Sequence, residues 1–245
     1  MRNENRIFTI AFEGESRSGK GTQIEMIKNK LKEIGIPCID IQGDGYRNGS
    51  GTSEKDPKSD YWQKISEILK NNPDNYLLWN KASYRLAREL IVWRDRILSR
   101  EVAKSLQPFG VLLVDRSLIS NSVLKILERE PQPGVEFNSS ELYPDSIQDR
   151  KKITTSMILP DMIIELIAPK EILLSRLDKN NSEYSFKKDS IENKYELYLE
   201  AKKRLPQEIQ NIVISIDSSK SQEEVFTEVA KQIKSKFPEI KINVN

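Results

Sequence analysis

Short apolar runs alternate along this chain with longer stretches of helical periodicity. Helical patterns fill the gaps between the runs, and such an alternation predicts a parallel sheet covered by helices on both faces. Right-handed crossovers would gather the carboxyl ends of the strands, and any ligand with them, at one edge of the sheet. We therefore predict an α/β fold with three layers, α/β/α, around a parallel five-stranded sheet. The strand-like runs are Ile7–Phe12, Ile36–Ile41, Val111–Val114, Met162–Ile167 and Ile212–Ile216.

The first run breaks directly into a glycine-rich turn, and a helical pattern follows from about Lys20 to Ile34. Strand, glycine turn and amphipathic helix form the context that a phosphate-binding loop, or P-loop, needs. Backbone N–H groups of such a loop point at phosphate oxygens, the lysine adds positive charge, and the positive end of the helix dipole lies there too. We predict a phosphate-bearing ligand at this loop. The residues predicted to bind it are Gly14, Ser16, Arg17, Ser18, Gly19, Lys20, Gly21 and Thr22.

The position after the lysine departs from the general loop pattern. Gly21 stands where Ser or Thr usually follows, and Thr22 comes one place later. The segment Lys20-Gly21-Thr22-Gln23 resembles the loop of adenylate kinase-type enzymes, in which the metal is held largely through water. The loop therefore indicates a small-molecule phosphotransferase rather than a switch GTPase or a motor ATPase. Thr22 is one candidate residue for Mg²⁺.

Composition and charge fit a single enzyme domain spanning residues 1–245. Of the 245 residues, 37% are hydrophobic and 31% are charged, which allows one sizeable buried core. The 39 basic and 37 acidic residues leave a net charge of +2, so nothing broad in the electrostatics favours nucleic acid. The absence of histidine excludes imidazole catalysis, and Cys38 alone makes no internal disulfide. No apolar run approaches the roughly 20 residues that cross a bilayer, so we predict a cytoplasmic protein without a membrane partner.

An acidic and a basic residue end the third apolar run, at Asp115 and Arg116. Phosphoryl transfer needs a carboxylate that orients Mg²⁺ and its waters, and guanidinium charge on the migrating group. The alternative is an N-cap aspartate beside a solvated arginine, and both roles are compatible. We predict Asp115 as a metal residue together with Thr22. The predicted catalytic residues are Arg17, Lys20, Asp115 and Arg116.

Together with further motifs, these residues resemble the thymidylate kinase family, and the resemblance covers nearly the whole chain in order. It implies a P-loop nucleoside monophosphate kinase fold and transfer of the γ-phosphoryl group of Mg-ATP to a nucleoside monophosphate, with dTMP as the first candidate. The family commonly forms homodimers, so a homodimer is a candidate assembly. The motifs are Phe12-Glu13-Gly14, Arg47 to Thr52, Asp115-Arg116 with Ser120, Leu159 to Leu166 with Arg176, and Tyr195 with Leu199.

The resemblance also implies which cations hold the substrates. One branch of the family carries an arginine inside the phosphate loop, and Arg17 occupies its position; an exposed loop arginine is the alternative. For the acceptor phosphate the resemblance implies two arginines: Arg47, and Arg96 on the long helix before the third strand. If the spacing is counted forward from Thr52, Arg85 takes the place of Arg96. The family's lid falls near Leu177–Lys188. The predicted substrate-binding residues are Arg47, Arg96, Arg116 and Ser120.

Three departures from the family pattern leave other functions open. Ser16 stands where this branch has an acidic residue that holds the sugar hydroxyl, with Glu15 shifted by one place; Gly49 replaces a proline, and Ser117 an aromatic residue. Ser117 raises the alternative of a deoxynucleoside kinase, in which Asp44 would be the general base for a sugar hydroxyl. The other alternative is a catalytically inactive nucleotide-binding regulatory protein.

Overall fold

A computed structural model describes residues 6–41, 106, 109–120, 123, 160–177 and 184–242. These residues contain one five-stranded sheet with the strand order β2-β3-β1-β4-β5, and every neighbouring pair is parallel. The strands are β1 (Arg6–Glu13), β2 (Cys38–Ile41), β3 (Phe109–Asp115), β4 (Met162–Ile167) and β5 (Val213–Asp217). The prediction of a parallel five-stranded sheet is therefore confirmed.

The described helices lie between and after these strands. They are α1 (Lys20–Glu33), α2 (Lys170–Ser175), α3 (Tyr184–Lys203), α4 (Gln207–Gln210) and α5 (Gln222–Lys236), and a further helical turn begins at Leu118. The start of α1 agrees with its prediction, and its end lies one residue earlier than predicted, at Glu33. No described helix combines the length and the hydrophobicity that a membrane span requires.

Side chains of β1 alternate between two apolar cores, as expected for a strand with both faces covered. Phe8, Ile10 and Phe12 lie in the core on one face, and Ile7 and Ala11 contact the core on the other. The first core is closed by buried side chains of α1 and α5, and the second by buried side chains of α3 and of the turn after β3. The three-layer α/β/α arrangement is confirmed.

The strand registers place four carboxyl ends at one edge of the sheet. Phe12 is paired with Asp115, so the end of β3 lies beside the end of β1. Glu13 is paired with Glu165 on the other side, and Ile167 with Asp217 in turn. The loops that follow β1, β3, β4 and β5 therefore begin close together, at the edge where ligands bind in open α/β sheets.

Candidate active site

The turn after β1 can be formed only with glycine at its first position. Gly14 takes a φ of +136°, and a Cβ there would collide with the carbonyl oxygen of Leu166 and lie 2.8 Å from Oγ of Ser18. The turn ends at Gly19, which is the N-cap of α1 and takes a φ of +94°. All eight residues predicted to bind ATP lie in this turn and in the first turn of α1. The turn is tight because the chain folds against β4.

Lys20 lies inside the loop rather than on its surface. The residue is buried, and its Nζ donates to the carbonyl oxygens of Gly14 and Glu15, at 3.0 Å each. An ammonium group in this position lies within the ring of backbone that would surround a phosphate. Gly21 and Thr22 are exposed, and Ser18 is buried. The predicted loop residues therefore include buried ones, such as Ser18 and Lys20, and an exposed pair, Gly21 and Thr22.

Arg17 is held in an uncommon backbone conformation by a second arginine. Its φ is +67°, in the left-handed region that residues with a Cβ rarely adopt. Arg176, at the end of α2, donates through Nη1 to the Arg17 carbonyl oxygen at 3.2 Å and through Nη2 to the Ser218 carbonyl oxygen at 2.6 Å. This guanidinium joins the phosphate loop to the loop after β5, a contact that the sequence did not predict.

Asp115 is the last residue of β3, and Arg116 follows it, next to the phosphate loop. The Arg116 N–H donates to the Phe12 carbonyl oxygen at 2.9 Å, and Arg116 has a φ of +65°, so the chain turns sharply here. Among the described residues, no group of three or more Asp, Glu, Cys or His side chains could enclose a metal ion. A single carboxylate at this strand end suits an ion that keeps most of its waters, as Mg²⁺ commonly does.

Glu13 is a buried carboxylate that the predicted site residues did not include. Its Oε1 accepts hydrogen bonds from three backbone N–H groups, those of Ser117 at 2.6 Å, Ile119 at 3.0 Å and Ser120 at 3.1 Å. Burial raises the pKa of Glu13, while the hydrogen bonds from Ser120 and Ser117 and the charge of Arg116 lower it. Glu13 thus caps the helical turn that follows Arg116.

Three more polar groups complete the surroundings of Glu13. The Ser120 hydroxyl donates to Glu13 Oε2 at 2.5 Å, and its oxygen lies 2.5 Å from the hydroxyl oxygen of Tyr198. Arg116 Nη1 donates to the Tyr198 hydroxyl oxygen at 3.0 Å and to Ser120 Oγ at 3.4 Å. Burial raises the pKa of Tyr198 well above its ordinary value, so this phenol stays protonated. In this structure the hydroxyl of Ser120, a predicted substrate-binding residue, is hydrogen-bonded to Glu13 and Tyr198.

Comparisons with known proteins agree with this geometry. The chain is 28% identical over 224 residues to the thymidylate kinase of Thermosipho africanus, covering 90% of this chain and 94% of the relative. It is 23% identical over 230 residues to the thymidylate kinase of Fervidobacterium nodosum, covering 91% of this chain and 96% of that relative. The solved structure of Candida albicans thymidylate kinase superposes with a TM-score of 0.63 over 98% of this chain and 96% of that one, at 16% identity. No family model matches.

The chain is similar to thymidylate kinases over nearly its whole length. The resemblance drawn from its sequence motifs is therefore confirmed, and the fold match extends it to the whole architecture. The phosphate loop and the turn after β3 are the two parts of this thymidylate kinase-like site that the structure describes and brings together.

The acidic residue of the phosphate loop, Glu15, is turned away from solvent. Glu15 is only 6% exposed; its Oε1 accepts from the Ser16 N–H at 2.7 Å, and its buried Oε2 has no hydrogen-bond partner among the described residues. Glu15 lines a small, partly open pocket together with Glu165, Tyr198 and Leu199. The acid that stands one place earlier than in the family pattern is thus a buried carboxylate.

Several predicted residues lie outside the part of the chain that the structure describes. These include the two predicted acceptor arginines, Arg47 and Arg96, the other candidate for that role, Arg85, and the candidate general base of the alternative function, Asp44. Of the predicted lid, residues 178–183 also lie outside it, whereas Leu177 is buried and residues 184–188 form the beginning of α3. The roles of these residues stay predictions.

Proposed function

We propose that this protein is a nucleoside monophosphate kinase that transfers the γ-phosphoryl group of Mg-ATP to dTMP. The observation that carries the proposal is the pairing of Phe12 with Asp115, which brings the phosphate loop and the Asp115-Arg116 turn to the same edge of the sheet. The curated relatives that are named thymidylate kinase support dTMP as the acceptor. Phosphoryl transfer needs a site for the donor phosphates beside charges for the migrating group, and these two segments provide both.

The donor phosphates would replace the contacts that Lys20 now makes. Its Nζ donates to two backbone carbonyl oxygens of the loop, and a phosphate oxygen that enters the loop offers the lysine a charged acceptor instead. The N–H groups from Ser18 to Thr22, at the beginning of α1, would bind the same phosphates. Arg17 would lie over the bridging and terminal phosphates, where a bidentate cation is most effective.

The reaction itself requires positioning and charge more than covalent participation by the protein. A phosphate oxygen of dTMP attacks the γ-phosphorus of ATP, a new P–O bond forms, and the bond to the β–γ bridging oxygen breaks, leaving ADP and dTDP. Arg17 and Arg116 would offset the charge on the migrating group. Asp115 and Thr22 would hold Mg²⁺ through water, and the ion supplies charge compensation for the phosphates when bound. Arg47, Arg96, Arg116 and Ser120 would hold dTMP.

A coupled ADP-release assay tests this proposal. It compares dTMP, dUMP, other nucleoside monophosphates and free deoxynucleosides, each with Mg-ATP. We expect turnover with dTMP, and a loss of about 100- to 1000-fold in kcat for Lys20→Ala, as for removal of one preorganised charge-stabilising donor. Lys32→Ala is the matched control, because Lys32 is exposed near the end of the same helix.

The other outcomes assign the protein differently. Turnover with deoxynucleosides alone would favour the deoxynucleoside kinase, and Asp44 would then be the residue to substitute. ATP binding without turnover against every acceptor would favour the regulatory protein. A Lys20→Ala variant with nearly full activity would remove Lys20 from the catalytic residues. A homodimer and a cytoplasmic location also stay predictions.

A further inference from the structure

Two hydroxyl groups connect the guanidinium of Arg116 with the buried carboxylate of Glu13. Arg116 donates to the Tyr198 hydroxyl oxygen, the Tyr198 and Ser120 hydroxyls are 2.5 Å apart, and Ser120 donates to Glu13 Oε2. We call these four side chains the Glu13 network. Glu13, Ser120 and Tyr198 are buried, and Arg116 is half-buried. Water therefore competes little for the bonds at the carboxylate end of the network.

The two ends of the Glu13 network set the direction of the hydrogen bonds at each end. A guanidinium has donors only, and an ionised carboxylate has acceptors only. Each hydroxyl between them has a single proton to give. With Glu13 ionised, the Ser120 hydroxyl donates to Glu13 Oε2 and the Tyr198 hydroxyl accepts from Arg116. The Tyr198 proton is then shared between Ser120 Oγ at 2.5 Å and Glu13 Oε2 at 3.5 Å, and in both cases the network ends at the Glu13 carboxylate.

The other oxygen of the same carboxylate holds the backbone around Arg116. Glu13 Oε1 accepts from the N–H groups of Ser117, Ile119 and Ser120, directly after Arg116. Arg116 itself has a left-handed φ of +65°, which is unfavourable for a residue with a Cβ and persists only where the surrounding contacts determine it. One buried carboxylate thus contacts both the turn and, through two hydroxyls, the side chain of the arginine.

We propose that Glu13 is a positioning residue that fixes the backbone and the guanidinium of Arg116 in the orientation needed for phosphoryl transfer. This proposal rests on the proposed function, in which Arg116 acts on the migrating phosphoryl group. Glu13 contacts neither substrate in this account. Its effect on the reaction passes through Arg116, and this makes the proposal separable from a general effect on folding.

Glu13→Gln is the first variant, because it keeps the shape of the side chain and changes only its hydrogen-bonding. The amide oxygen can still accept from the three backbone N–H groups, but the NH₂ group cannot accept the Ser120 proton. We expect kcat to fall about 10- to 100-fold, in the range of a catalytic group that is displaced by about 1 Å. Affinity for a fluorescent ATP analogue should stay within about twofold of wild type, because the phosphate loop is intact.

The decisive comparison repeats this change without the arginine. In an Arg116→Ala background, Glu13→Gln should lower kcat by no more than about twofold further, since residues that act as a unit are not additive. A purely structural role would cost the same factor in both backgrounds, and that result would overturn the proposal. Tyr198→Phe breaks the network in the middle and should resemble Glu13→Gln. Tyr195→Phe, three residues earlier on α3, is the matched control with unchanged kcat.

A measurement that does not depend on turnover keeps the proposal distinct from the proposed function. The ¹⁵N resonance of the Arg116 Nε–H group is assigned by its loss in Arg116→Lys. We expect this resonance to shift or broaden in Glu13→Gln and in Tyr198→Phe, and to stay in place in Tyr195→Phe. If wild type phosphorylates no acceptor, the proposed function fails, and this resonance still decides the network. If the resonance is unchanged in both Glu13→Gln and Tyr198→Phe, the proposal that Glu13 positions Arg116 is overturned.

Discussion

Gly14→Ala places a methyl group where the phosphate loop crosses β4. The added Cβ would collide with the carbonyl oxygen of Leu166 and lie 2.8 Å from Oγ of Ser18. Leu166 belongs to a strand paired on both sides, so its carbonyl cannot retreat without disturbing the sheet. Alanine at this position would also be strained in its backbone, because residues with a Cβ avoid the φ of +136° that Gly14 takes.

The expected loss of stability follows from these two effects. Inserting a methyl group into packed structure costs about 1–3 kcal/mol. Backbone in a region that only glycine favours costs about 1–3 kcal/mol more. We therefore expect Gly14→Ala to lower the free energy of unfolding by about 4 kcal/mol. For a domain of this size, about 2–4 °C per kcal/mol converts that loss into a Tm lower by about 8–16 °C.

Gly21→Ala is the matched control on the same loop. A Cβ at Gly21 has no atom within 4 Å, and the residue is exposed in the first turn of α1. Alanine there reduces the entropy of the unfolded chain and should raise the stability by about 0.4–1 kcal/mol. Thermal unfolding followed by circular dichroism compares the two variants. Equal shifts for both, or a Gly14→Ala variant within about 2 °C of wild type, would refute this reasoning.

Three further changes test other parts of the structure. Lys202→Met removes the ammonium group that lies 2.6 Å from the buried Glu165 carboxylate. Because Lys202 is 30% exposed, we expect the free energy of unfolding in guanidinium to fall by about 2 kcal/mol, less than the usual loss for a buried pair. An unchanged unfolding midpoint would contradict this. Ser221→Ala removes the N-cap of α5 and should cost about 1 kcal/mol. Because Ser221 lowers the pKa of Glu224, the advantage of wild type over this variant should shrink as the pH falls through that lowered pKa; a constant advantage would contradict the capping box. Burial raises the pKa of Cys38 to about 12. The reaction of Cys38 with a thiol reagent at pH 8.5 should therefore be far slower in the native than in the unfolded protein. Equal rates in the two states would contradict the burial of Cys38.

Local patterns were sufficient to predict the sheet and the phosphate loop. The sequence predicts β4 with the bounds that the structure has, Met162–Ile167, because Pro160 and Asp161 precede a run that is apolar except for Glu165. The other strands differ from their predictions by one or two residues at their ends. The start of β2 lies at Cys38 rather than Ile36, and Pro37 between them has no N–H to donate to a sheet.

The Glu13 network could not be predicted in the same way, because its partners are distant along the chain. Glu13 is separated from Ser120 by 107 positions and from Tyr198 by 185. As part of a motif, Glu13 marks the end of a strand, but nothing nearby shows that its carboxylate turns inward. On α3 the resemblance drew attention to Tyr195 and Leu199, whereas the buried hydroxyl belongs to Tyr198. The face of a helix that enters a site is decided by packing.

Transfer of the labelled γ-phosphoryl group from [γ-³²P]ATP to dTMP tests the central claim most directly. Separation of the products by thin-layer chromatography distinguishes labelled dTDP from labelled inorganic phosphate, which ATP hydrolysis alone would release. We predict labelled dTDP with wild type and Mg²⁺, and little with Lys20→Ala. Labelled phosphate without labelled dTDP or any other labelled diphosphate, across the same panel of acceptors, would contradict the assignment as a nucleoside monophosphate kinase.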